Sequence, residues 1–218
     1  MVSLSWYSAV QMPRADEQAG EIHIKIVYHG PTLSGRTTNL QYIYNKTRPQ
    51  AKGRMVSIRT ETVQELFFGL TPFSIQPIHG RRLRVHLYTS PGCRFIEGAK
   101  ERVLQDVDGI VFVADSRESR IEADIEAMES LAAYIALQGR DLATVPLVLQ
   151  YNKRDDNSWV HRDGALYPDS PLPVAELDAL LNRDGRPTFE AVAPTGQGVL
   201  DTLRSIATQV IEGLRAVP

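Results

Sequence analysis

The apolar and polar positions of this chain repeat with two periods, and they predict strands and helices in alternation. Residues 22–29, IHIKIVYH, alternate and then turn wholly apolar, as a strand covered on both faces does. Thr37 to Lys46 contains no breaker and predicts a helix. MVSI (55–58) and FSIQPI (73–78) predict strands, separated by a stretch with no clean period. In HGRRLRVHLYTSPG (79–92) a turn at His79–Gly80 leads into a strand ending at Tyr88 and a loop at Pro91–Gly92. GIVFVAD (109–115) and VPLVLQYN (145–152) are apolar enough to be buried strands. The helix between them carries Ile121, Ile125, Met128, Ala132 and Ile135 on one face. VAELDALLN (174–182) predicts a helix, and TFEAVAPTG (188–196) a strand and loop. A last helix buries Val199, Leu203, Ile206, Val210 and Leu214.

Strands alternating with helices predict an α/β fold, a mostly parallel sheet with helices on both faces. Ligands of such sheets bind at the carboxyl ends of the strands. Residues 1–20 read as a polar extension, and 21–218 as one domain without repeats or a linker. One segment breaks the rhythm: DNSWVHRDGALYPDSPL, residues 156–172, a long stretch of turn formers and aromatic residues. A loop of this length is typically functional or disordered.

Composition removes several function classes. A net charge of −2 over 218 residues argues against non-specific nucleic-acid binding, which needs a concentrated basic face. No apolar run approaches the roughly 18 residues of a membrane span. The first 20 residues lack the basic start and apolar core of a secretory signal. The single cysteine, Cys93, excludes an internal disulfide and fits a reducing, cytoplasmic setting.

The candidate chemistry sits at the ends of three strands. After the first, Gly30 is followed by four residues, then Gly35, Arg36 and Thr37, the spacing of a phosphate-binding loop with arginine at the lysine position. Backbone N–H groups at a helix N-terminus cradle phosphate oxygens, and the Thr37 hydroxyl is placed to hold Mg²⁺. After a second strand stands Asn152-Lys153-Arg154-Asp155, the Asn-Lys-x-Asp pattern that reads guanine. A carboxylate at Asp155 accepts from the ring N–H and exocyclic amine of guanine, a donor pair adenine lacks. The Lys153 stem can cover the purine plane, and Asn152 can tie the base loop to the phosphate loop. After a third strand comes Ala193-Pro194-Thr195-Gly196, a loop that in small GTPases offers a backbone N–H to the guanine carbonyl.

On these motifs the chain resembles the MglA-type small GTPases, which set polarity and drive gliding or twitching motility in bacteria. The matching stretches include SG.TTNLQYIYNKT, LFF, HLYT.PG, VDGIVFVADS, QYNKRD and AVAPTG, spread over roughly residues 22–215. Thr89-Ser90-Pro91-Gly92 matches that family's Thr-x-Pro-Gly second switch. The resemblance implies the three-layer, Ras-like P-loop fold and a ligand of GTP or GDP with Mg²⁺. Gly30, Ser34, Gly35, Arg36, Thr37, Thr38 and Gly92 would face the phosphates, Thr37 the metal, and Asn152, Lys153, Asp155 and Ala193 the guanine. It also implies a roadblock-type (MglB-like) regulator and other polarity or motility proteins as partners.

The chain departs from the family where phosphate chemistry is done. The phosphate-loop lysine is Arg36, the glutamine after Pro-Gly is Cys93, the built-in arginine finger after Thr-Glu-Thr is Gln64, and the following threonine is Glu65. A thiol cannot accept from and donate to a water as an amide does, and a lost arginine finger can cost about 10³–10⁵ in rate. Guanidinium keeps the charge of lysine but is planar and bulkier. The guanine side is intact. The expectation is a guanine-nucleotide switch or scaffold with weak or absent hydrolysis; the competing reading is a nucleotide-independent scaffold. A P-loop kinase or ATPase is disfavoured by the NKRD motif and by the lack of an acidic residue ending RVHLYT.

Overall fold

The computed structural model describes residues 15–16, 19–59, 64–72, 75–90 and 99–216. In chain order the elements are β1 (Ala15–Asp16), β2 (Glu21–His29), α1 (Arg36–Lys46), β3 (Val56–Arg59), β4 (Gln64–Leu70), β5 (Arg82–Thr89), α2 (Ala99–Leu104) and β6 (Gly109–Asp115). There follow α3 (Ile121–Leu137), β7 (Leu147–Asn152), β8 (Ser158–Arg162), β9 (Ala165–Asp169), α4 (Val174–Leu181), β10 (Thr188–Glu190) and α5 (Val199–Ala216). The main sheet runs β10-β7-β6-β2-β5-β4-β3, with β1 paired to the start of β2. It is parallel from β10 to β5 and antiparallel at β4, β3 and β1.

Both faces are covered, which is why the central strands read as solid apolar runs. On one face Ile24, Ile26 and Tyr28 of β2 pack with Leu40 and Ile43 of α1 and with Val199, Ile206 and Val210 of α5. On the other, Val27, Tyr88 and Phe112 pack with Val103 of α2, Leu131 and Ile135 of α3 and Leu177 of α4. The mostly parallel α/β architecture predicted from periodicity is the one observed.

Two expectations need correction. Of the strand predicted at 73–78, residues 73–74 lie outside the described residues, and the described part, 75–78, forms no strand: Ile78 makes an isolated bridge to Arg81 across a turn. The strand of this region is β4, and its period is hidden because Leu66 and Phe68 join one core while Phe67 packs against the other. Residues 156–172 are not a structureless loop; β8 and β9 pair as a hairpin separate from the main sheet, with Ser158 opposite Asp169 and Arg162 opposite Ala165. Helix α2 was not anticipated. The polar extension also contributes β1, which pairs Ala15 with Ile22 and Asp16 with Glu21.

Candidate nucleotide-binding site

β2 ends at His29, and Gly30 to Gly35 loop into the N-terminus of α1. Two glycines make this path possible. At Gly30 the φ is +146°, and a Cβ there would stand 2.2 Å from the Val113 carbonyl oxygen. Gly35 has φ +101°, and a Cβ would meet Asn152 Nδ2 at 2.1 Å. Any side chain at either place would push the loop off the strand ends. Gly35 caps α1 without a side-chain hydrogen bond, and no acid stands in the first turn. The helix N-terminus therefore presents its backbone N–H groups and dipole without a carboxylate from its own first turn. The Ser34 hydroxyl beside it is buried and has no partner among the described residues. Loop, helix end and orphaned hydroxyl together suit a phosphate group.

The register of the sheet brings the base loop alongside. Asp115, the last residue of β6, lies opposite Asn152, the last residue of β7. Asn152 is buried, and it latches two loops at once: Nδ2 donates to the Ser34 carbonyl at 2.7 Å, and Oδ1 accepts from the Ala193 N–H at 3.0 Å. Tying phosphate loop to base loop is the part the sequence assigned to Asn152. The Ala193 N–H, the group the resemblance assigns to a guanine carbonyl, donates here to Asn152 Oδ1.

Lys153 follows in the left-handed region, φ +63°, and its Nζ donates to Asp115 Oδ2 at 2.7 Å. Asp155 is exposed and makes no hydrogen bond or ion pair by its carboxylate among the described residues. It stands at the surface end of the same loop.

Arg36 is buried, and its Nη1 donates to the Ser90 carbonyl and to Ser90 Oγ. Ser90 belongs to the Thr89-Ser90-Pro91-Gly92 motif, and its hydroxyl lies 2.8 Å from His29 Nδ1. The guanidinium at the lysine position thus reaches the start of that motif. Thr37 and Thr38 are half-buried in the first turn of α1. Gly92 and Cys93 lie outside the described residues, as do Thr60 to Thr62; Gln64 and Glu65 are placed in β4 by backbone alone.

Sequence reasoning did not single out a charged cluster behind the base loop. Asp115 has a fully buried carboxylate that accepts from Arg117 Nη2 at 2.6 Å, Arg117 Nε at 2.9 Å and Lys153 Nζ. Burial alone would raise its pKa, but the hydrogen bonds from Arg117 and Lys153 hold it below the usual carboxylate range. Arg120 Nε stands 3.8 Å from the same carboxylate, and Arg120 Nη2 donates to the Thr32 carbonyl of the phosphate loop at 2.9 Å. The signal available in the sequence was an aspartate closing an otherwise apolar strand, GIVFVAD. Close by, Asp124 is pushed up to about 8, first by burial, with the Asp115 charge adding to it. The β8–β9 hairpin is rooted in this cluster: Asp169 accepts from Ser119 N at 3.0 Å and Ser119 Oγ at 2.6 Å, and Asp156 pairs with Arg117 at 3.4 Å.

No family model matches the chain. Mutual gliding-motility protein MglA of Myxococcus xanthus (strain DK1622) is 47% identical to it over 195 residues, which cover 89% of this chain and 94% of that protein. No helix among the described residues is long and apolar enough to cross a membrane. Identity of this depth over nearly the whole of both chains, on a sheet that brings the phosphate loop and NKRD together, carries one conclusion: the chain belongs to the MglA family of small Ras-like GTPases.

Proposed function

We propose that this protein binds GTP and GDP as a switch in gliding motility or cell polarity, and that it hydrolyses GTP slowly or not at all. The observation that carries the binding half is the Asn152 latch, which uses both ends of one buried amide to hold Ser34 and Ala193 in a single loop cluster. Asp155 at the mouth of that cluster would select guanine, because a site built around a specific donor pair rejects a base lacking it by a large factor. Lys153 would cover the purine. The N–H groups of residues 34–38 would hold the phosphates, with Gly92 near the terminal one. Thr37 would hold Mg²⁺, which neutralises phosphate charge when bound.

The hydrolysis half rests on sequence. Attack on a terminal phosphate needs an oriented water and a cation that neutralises charge in the transition state. Cys93 and Gln64 replace the family residues for those tasks, and Arg36 supplies charge with a different shape. By family, a roadblock-type regulator is the partner that would engage the switches.

One observation favours the second reading, a scaffold that needs no nucleotide. Arg36 is turned to Ser90, so the loop has a partner for its cation from within the chain. Chromatography of nucleotide released from the purified protein separates the two: guanine nucleotide supports the switch, and none, with no GTP or GDP binding on titration, supports the scaffold. Equal affinity for GTP and ATP would overturn the guanine assignment. Single-turnover phosphate release then tests the hydrolysis half. It should be slow with and without a roadblock-type partner, and Cys93→Gln with Gln64→Arg should raise it by more than the product of the single changes. Fast release by the unmodified protein alone would refute slow hydrolysis.

A further inference from the structure

The Asp115 carboxylate joins the loop after β6 to the loop after β7, a link to which the sequence reading gave no role. It closes β6, one strand from β7, and points its oxygens at the first residue beyond Asn152. A lysine leaving a strand in the left-handed region has many rotamers open to it; here the ammonium is fixed at 2.7 Å on a wholly buried acid. Backbone at one end and ion pair at the other hold the four-carbon stem along a single line.

Resting on the guanine reading above, we propose that Asp115 is a positioning residue for nucleotide binding: it stretches Lys153 across the purine face and, through Arg120 and Thr32, holds the phosphate loop in the register the same nucleotide needs. A stem already fixed in its bound conformation loses little freedom when a base settles on it, which is how preorganisation raises affinity. The second link is geometric. Arg120 faces Asp115 with one nitrogen and donates to the Thr32 carbonyl with another, so base loop and phosphate loop share one anion. Arg117 is the strongest competitor for that anion, with two short hydrogen bonds of its own. It extends the arrangement to Asp156 at the foot of the hairpin.

A buried ion cluster can also serve stability alone, and the test separates the two. The affinity of the full chain for a fluorescent GDP analogue is measured for the unmodified protein, Asp115→Asn, Lys153→Ala, Asp155→Asn and the pairs, with melting of each nucleotide-free protein as control. Asp115→Asn should weaken GDP by about tenfold, the size of coupling usual for contacting groups. The loss should be shared with Lys153→Ala, the double being little worse than the single, and should multiply with that of Asp155→Asn, which acts on the base edge. An unchanged affinity in Asp115→Asn, or losses that simply multiply with Lys153→Ala, overturns the proposal while leaving the guanine reading intact. No GDP binding by the unmodified protein overturns both. Should Asp115→Asn fail to fold, Asp115→Glu keeps the charge and moves it by one methylene. The same two criteria then apply: a loss shared with Lys153→Ala supports the proposal, and native affinity overturns it.

Discussion

Gly35 gives the sharpest way to test whether the phosphate loop and base loop are one mechanical unit. Gly35→Ala introduces a Cβ at φ +101°, 2.1 Å from Asn152 Nδ2. Two costs follow. Holding a non-glycine residue in that backbone region costs about 1–3 kcal/mol. Displacing the amide gives up its bonds to Ser34 and Ala193, at roughly 1 kcal/mol each. The sum, about 3–5 kcal/mol, is large against the roughly 5–15 kcal/mol of a typical domain but leaves it folded. Gly139→Ala is the control, because Gly139 also has positive φ, +70°, yet nothing lies within 4 Å of its Cβ position. It should cost only the backbone share, about 1–2 kcal/mol. Urea unfolding of the nucleotide-free protein measures both. The excess of Gly35→Ala over Gly139→Ala should shrink by about 2 kcal/mol in an Asn152→Ala background, where the next atom facing the new methyl is Ala193 Cβ at 4.0 Å. Equal costs for the two glycine changes, or an excess undiminished without Asn152, would refute the contact as the cause.

Three further outcomes follow from single contacts. Asp124 is raised to about 8 in the fold, so the folded protein holds a proton there that the unfolded chain has lost, and stability falls as pH rises from about 4 to 8. Asp124→Asn keeps a neutral acceptor for the Asp115 N–H and should remove that slope, gaining a few kcal/mol at pH 9 and little at pH 4, by urea unfolding at both. Arg36→Lys should release the Ser90 carbonyl and return a compact ammonium to the loop, raising GTP affinity by about 1–2 kcal/mol in a calorimetric titration; unchanged or weaker binding would mean the loop is fitted to guanidinium. Asp169→Ala cuts both bonds to Ser119, so limited proteolysis should open the β8–β9 hairpin faster while the melting of the main sheet stays put.

The sequence by itself determined the sheet and the order of its loops. Runs such as GIVFVAD and VPLVLQYN are apolar throughout because strands buried on both faces have no solvent side, and the helices between them keep one apolar stripe. The phosphate loop and NKRD were legible because few residue types can fill those places: glycine at Gly30 and Gly35, where a Cβ collides, and an amide at Asn152, which must donate and accept at once. Strand β4 was not legible, since its two cores take Leu66, Phe67 and Phe68 in succession and erase the period. Nor was the hairpin at 158–169, whose anchor Asp169 bonds to Ser119, 50 residues away. Only the tertiary structure decided the partners of the charged groups. Arg36 is bound to Ser90, Lys153 to Asp115 and Arg120 to Thr32, pairs separated by 54, 38 and 88 residues. Such contacts carry no periodicity along the chain, because they depend on which strand ends the right-handed crossovers set side by side.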